Sequence, residues 1–135
     1  MRNALKAISW LALAALTSGA SMACAAEVFV IAHAPMQLSA AEIKEIFLGE
    51  VQFAGSTKVA PIDNTAAQAD FLARVLNLPA ARYATLWTKK AFRDGLNAPV
   101  VKGTDSEVLA FVRAQSGSIG YVTQVGPGVY VVGRY

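Results

Sequence analysis

The chain has 135 residues, with 12 basic and 9 acidic side chains, one histidine and one cysteine. So sparse a set of ligands excludes a His/Cys metal site and leaves no disulfide within the chain. The first 26 residues carry Arg2 and Lys6 but no acid, so without them the net charge falls from +3 to +1, and the basic balance is no evidence for nucleic acid as a partner.

Residues 1–26 read as a secretory signal peptide. Arg2 and Lys6 form a basic start, Ala7 to Leu16 an apolar run, and small residues lead to Ala23-Cys24-Ala25-Ala26. Cleavage is expected after Ala25 or Ala26. The apolar run is shorter than the roughly 20 residues a membrane-spanning helix needs. Cys24 raises a lipoprotein as the alternative, but Ser21 stands where a lipobox wants Leu. Residues 27–135 then make one domain, enough for a single core and too few for two lobes around a cleft.

Glu27 to Ala32 (EVFVIA) is β-branched and aromatic, the pattern of a buried strand. Ser39-Ala40-Ala41-Glu42 is a capping box that opens a helix with Ile43, Ile46 and Phe47 on its apolar face, and Gly49 is placed to end it. Glu50 to Thr57 reads as a loop and Lys58 to Ile62 as a second strand. A helix follows over about Thr65 to Leu76, and another over about Ala80 to Phe92 with Pro79 at its start. Asp94 to Pro99 is turn chemistry and Val100 to Lys102 a brief extended piece. Thr104 opens a further helix with Val108, Leu109, Phe111 and Val112 inside. Ser118 to Val122 and Val129 to Val132 are strands, separated by the turn Gly126-Pro127-Gly128. Strands interleaved with helices predict an α/β three-layer sandwich with a mainly parallel central sheet, its last strand a candidate antiparallel edge.

Little in the chain points to catalysis. His33 is the only base available to a Ser/His/Asp triad, and a lone histidine in a connector is a surface or hydrogen-bonding residue in most folds. No Walker or dinucleotide fingerprint occurs, because neither glycine cluster opens a helix after a strand. Asp63, Asp70, Asp94 and Asp105 stand at helix starts and turns, where carboxylates cap and pair with the helix dipole. Lys89, Lys90 and Arg93 form a small basic cluster that reads as a solvated face, and Trp87 and Phe92 read as core. Neither an enzyme nor a cofactor is expected.

The stretch from Pro61 to Phe71 (PIDNTAAQADF) turns from strand to helix through small polar residues, and such a turn leaves backbone N–H groups that can hold an anion. Asn64, Thr65 and Ala66 are the candidate ligand-binding residues. One exposed helix start contributes about 0.3–1 kcal/mol per charge, well short of the roughly 4 kcal/mol that millimolar affinity requires. Anion binding there is expected to be weak.

Three further segments share one order and spacing with a known family. They are Ile46-Phe47-Leu48-Gly49 after a capped helix, Trp87 to Pro99 (WTKKAFRDGLNAP), and Gly117 to Val122 (GSIGYV) after an amphipathic helix. From about Val28 to Val122 the chain resembles one lobe of the type 2 periplasmic-binding proteins, in particular short single-lobe members of the phosphate ABC transporter substrate-binding proteins. The resemblance implies a periplasmic, non-enzymatic binding protein. It implies phosphate or another small oxyanion as ligand at Asn64, Thr65 and Ala66, and an ABC transporter permease or a sensor protein as partner. The chain departs from the family at that turn, which lacks the family's serine, glycine and arginine, so that Thr65 alone offers a hydroxyl. It also has one lobe where full-length members close two. The alternative is an interaction or sensory module that uses the open lobe face to bind another protein or a second copy of itself.

Overall fold

A computed structural model describes residues 27–135; the expected signal segment, with Cys24, lies outside the described residues. Five strands form the main sheet: β1 (Phe29–Ala32), β4 (Ala60–Asn64), β5 (Val100–Lys102), β6 (Ser118–Val122) and β7 (Tyr130–Arg134), in the order β5-β4-β6-β1-β7. β4 pairs in parallel with β5 and β6, β1 is antiparallel to β6, and β7 is antiparallel to β1. Four strands therefore point one way and β1 runs against them. The mainly parallel sheet and the antiparallel last edge are both as the sequence predicts.

Alternation along the strands builds two cores. Val30 and Ala32 of β1, with Ile119 and Tyr121 of β6, face one side, where α1 (Ala40–Phe47) and α3 (Ala80–Asp94) pack. Ile31 and Val122 face the other side, under Val108 and Val112 of α4 (Asp105–Ala114). A strand buried on both faces has no polar alternation to show, which is why SIGYV reads as a continuous apolar run. Gly120 lets α4 come close: a Cβ there would lie 2.7 Å from Val108 Cγ1.

The first helix follows its capping box. Ser39 Oγ accepts from the Glu42 N–H at 3.1 Å, and the Glu42 carboxylate accepts from the Ser39 N–H at 3.2 Å. Gly49 follows it at φ 71°, and the Trp87 ring occupies the space where a Cβ would project, 2.6 Å away. The stretch expected as a loop before the second strand instead holds a small hairpin, β2 (Phe53–Ala54) with β3 (Thr57–Lys58). The helix expected from Thr65 starts later, as α2 (Gln68–Phe71), and continues as a π-helical turn, Leu72–Leu76. The delay has a local cause: Asn64 Oδ1 accepts from the Ala66 N–H at 3.1 Å, an Asx turn that competes with helix at that point. Asn77, at φ 51°, closes the π turn, with the Leu78 N–H donating to Leu72 O.

Candidate functional site

The parallel strands β4, β5 and β6 end on one edge of the sheet, the edge where ligands sit in α/β folds. Two polar clusters occupy it. In the first, Asn64 is fully buried at the end of β4. Its Nδ2 donates to Asp105 Oδ1 at 2.7 Å and to Tyr121 O at 3.0 Å. Asp105 opens α4 and accepts through Oδ2 from the Thr123 N–H, the Thr123 hydroxyl and the Gln124 N–H, at 3.0, 2.7 and 3.1 Å. Partial burial pushes its carboxyl up, but the bonds from Thr123, Asn64 and Gln124 outweigh it and hold the group below the ordinary value of 3.8. Four donors thus converge on one carboxylate and tie the ends of β4 and β6 to the start of α4.

The second cluster centres on Asp63, which is 4 % exposed. The Tyr83 hydroxyl of α3 donates to both carboxylate oxygens at 3.1 Å, and the Tyr121 hydroxyl of β6 donates to Oδ1 at 3.0 Å. Tyr121 stacks on Phe71 with ring centroids 3.8 Å apart, and Phe47 meets both rings edge-on. Burial raises the Asp63 carboxyl above its ordinary range, and the two phenol bonds only partly offset this. The same burial and the nearby carboxylate push both phenols above theirs. Beside this cluster lies an open cleft of about 590 Å3, lined by Asp63, Gln68, Tyr83, Trp87, Phe92 and Val101 among others. On another flank of α3 is a second depression of about 550 Å3, where Leu78 and Leu86 are bordered by Arg82, Lys89 and Arg93.

The candidate anion turn has a different arrangement from the one expected. Thr65 and Ala66 are exposed and Asn64 is not. The Thr65 N–H donates to Lys102 O at 2.8 Å, the Ala66 N–H to Asn64 Oδ1 at 3.1 Å, and the Ala67 N–H to Asn64 O at 3.1 Å. An oxyanion at this turn therefore has to displace bonds the fold already makes. Asn64 is bonded on both sides, its Nδ2 to Asp105 and Tyr121 across the sheet and its Oδ1 to the Ala66 N–H of the turn itself.

Of the aspartates expected at helix starts, Asp105 does stand in the first turn of α4 and in addition accepts from the end of β6, whereas Asp63 caps nothing and accepts from phenols. Phe92, expected in the core beside Trp87, is 96 % exposed. Five residues on a helix turn through about 500°, so the two rings point well apart, and only Trp87 faces inward. Its Nε1–H donates to Phe47 O at 3.1 Å. His33 Nδ1 lies 2.8 Å from Val112 O, a hydrogen-bonding role in its connector. Sequence reasoning missed the Asp63–Tyr83–Tyr121 cluster. Its signal was two tyrosines on buried faces, since a buried phenol needs a polar partner. Among the described residues no three His, Cys, Asp or Glu side chains gather to hold a metal ion, and no helix is long and apolar enough to cross a membrane.

No family model and no curated protein matches the chain. Among solved structures it is similar to the crystal structure of an ABC-type phosphate transport receptor from Vibrio cholerae, at 12% identity and a TM-score of 0.49, over 79% of this chain and 46% of that one. The chain thus spans less than half the length of that receptor, and the likeness is one of fold.

Proposed function

We propose that this chain is an exported, non-enzymatic binding protein, related to the phosphate ABC transporter substrate-binding proteins, that works by contact with another protein at the open face beside α3. The observation that carries this reading is Phe92, 96 % exposed, which lines one cleft with Val101, 62 % exposed on the edge strand β5. Large side chains held in water at a cleft are what a partner buries: covering one such ring contributes about 1.5–3 kcal/mol, and aromatic anchors of this kind dominate interfaces. The partner is a transporter permease, a sensor protein or a second copy.

A photo-crosslinking side chain placed at Phe92, with the same group at Ala110 on α4 as the control, tests the reading in the exporting cell. A discrete adduct from position 92 and none from Ala110 is the expected outcome. Absence of any adduct at position 92, in folded protein, would overturn it.

Capture of phosphate or another small oxyanion at Asn64, Thr65 and Ala66 is the second reading. The exposed Thr65 side chain, at the ligand-binding edge of the sheet, favours it. The internal bonds of the Thr65 and Ala66 N–H groups limit it to weak binding. Titration calorimetry with phosphate decides: no heat at millimolar ligand removes the oxyanion reading and leaves the protein-contact reading intact.

A further inference from the structure

The cleft beside α3 holds a carboxylate, Asp63, in an aromatic setting, and among the described residues no Lys or Arg lines it. Both its oxygens accept from phenols, Tyr83 to each and Tyr121 to Oδ1. Each phenol brings a hydrogen bond and no charge. Ionising a carboxyl held this way is costly, because the phenols bring no positive charge, and an incoming cation relieves that cost. Around it the cleft is largely apolar, lined by Tyr83, Trp87, Phe92, Pro99 and Val101. Aromatic walls with one acid at the base are the chemistry that receives ammonium and guanidinium groups, because ring faces attract positive charge and the walls cover an alkyl stem.

We propose that the Asp63 cleft is a site for an organic cation, an ammonium or guanidinium on an alkyl stem, with its charge at Asp63 and its stem against Tyr83 and Phe92. The inference rests on the reading of this face as the working surface. It reverses the sign of the ligand that the Thr65 turn implies: an ionised Asp63 in this cleft repels a phosphate. The cation comes either from a free solute or from a lysine or arginine of the partner protein, and the chemistry at the cleft is the same.

The test uses butylammonium and butylguanidinium as probes, with butyrate and butanol as the same stem bearing negative and no charge. Amide shifts of the isotope-labelled chain are followed by NMR. Saturable shifts around Asp63, Tyr83, Phe92 and Val101 with the two cations, and none with butyrate, are expected. Asp63→Asn weakens the cations at least about tenfold, the loss of one charge-assisted contact. Phe92→Ala weakens them about threefold, and this exposed position leaves the fold intact even if Asp63→Asn does not. Equal shifts with butanol, or cation affinity unchanged in both variants, would overturn the proposal. The source is then read in the cell. If Asp63→Asn removes the adduct formed from position 92, the cation is the partner's side chain; if the adduct persists while the probes lose affinity, it is a free solute. Binding of the probes without any adduct sinks the protein-contact reading and keeps the site. An adduct without probe binding does the reverse.

Discussion

Asp63 and Asp105 sit at the same edge of one sheet and are driven in opposite directions. Asp105 collects four hydrogen bonds, two of them from backbone N–H groups, and stays ionised below the usual carboxylate range. Asp63 collects two phenols, lies deeper, and is pushed above that range. The difference shows what each carboxylate does. Asp105 is a fastener: its charge is fully used by donors the fold supplies, and nothing is left for a ligand. Asp63 is a carboxyl that, among the described residues, meets only neutral phenol donors, beside an opening. The edge that holds ligands in α/β folds is thus closed at one end and available at the other.

The largest effect expected from breaking this contrast is at the fastener. Asp105→Ala leaves the Asn64 amide, the Thr123 N–H and hydroxyl and the Gln124 N–H without their acceptor. Stranding these partly buried donors costs about 2–4 kcal/mol, to be read in urea unfolding. A loss under about 0.5 kcal/mol, the level of an ordinary surface change, would mean that water replaces the carboxylate and that this end of the edge is open after all.

At the other carboxylate a smaller loss is expected. Tyr121→Phe deletes one of the two phenol donors and keeps the ring stacked on Phe71. It costs about 1 kcal/mol, and because that bond lowers the Asp63 carboxyl, its removal moves the group still higher. The carbon-13 shift of the Asp63 carboxyl across a pH titration checks the direction. No upward movement would show that burial alone sets the group.

The two residues also separate in their pH dependence, and the sign differs. The folded Asp105 carboxyl lies below its ordinary 3.8, so its stabilisation is present above that value and is lost as pH falls through the lower folded value. The folded Asp63 carboxyl lies above 3.8, so the fold binds the proton more tightly than the unfolded chain; stability falls as pH rises from 3.8 through the folded value. Asp63→Asn is therefore expected to flatten the decline towards neutrality and leave the acid limb in place, and Asp105→Asn to do the opposite. Unfolding midpoints between about pH 3 and pH 8, spanning the carboxylate range, check both. Parallel curves for the two variants would erase the distinction.

The fold was far more legible than the site, for a physical reason. Period-two and period-3.6 patterns, the Ser39–Glu42 box and the cap at Thr104 are local, and each settles where an element begins or which face it buries. The delayed start of α2 was hidden because an Asn side chain bonded to a backbone two residues on looks, in sequence, like any helix-opening residue. The clusters are long-range: Asn64 meets Asp105 and Tyr121, and Asp63 meets Tyr83 and Tyr121, and no local pattern sets those distances. The Thr65 turn is polar and follows the end of β4, as its residues predict. What the Thr65 N–H bonds to depends on where β5 runs, since Lys102 O is brought to it by the parallel pairing of β4 and β5.

The smallest stability effect is expected at the residue whose position the sequence misled on most. Phe92→Ser touches a ring that is 96 % exposed, so the folded chain has almost nothing to lose, and its stability moves by less than about 0.5 kcal/mol. If the ring belongs to an interface, the same change removes a large part of partner binding, because a ring that contributes nothing to folding is free to contribute its whole apolar area to association. Urea unfolding beside partner binding, measured on the one variant, separates the two. A stability loss of 2 kcal/mol or more, the size that follows from emptying a packed site, would show that Phe92 packs inward in solution. It would also show that the cleft beside Asp63 lacks the wall on which the contrast with Asp105 depends.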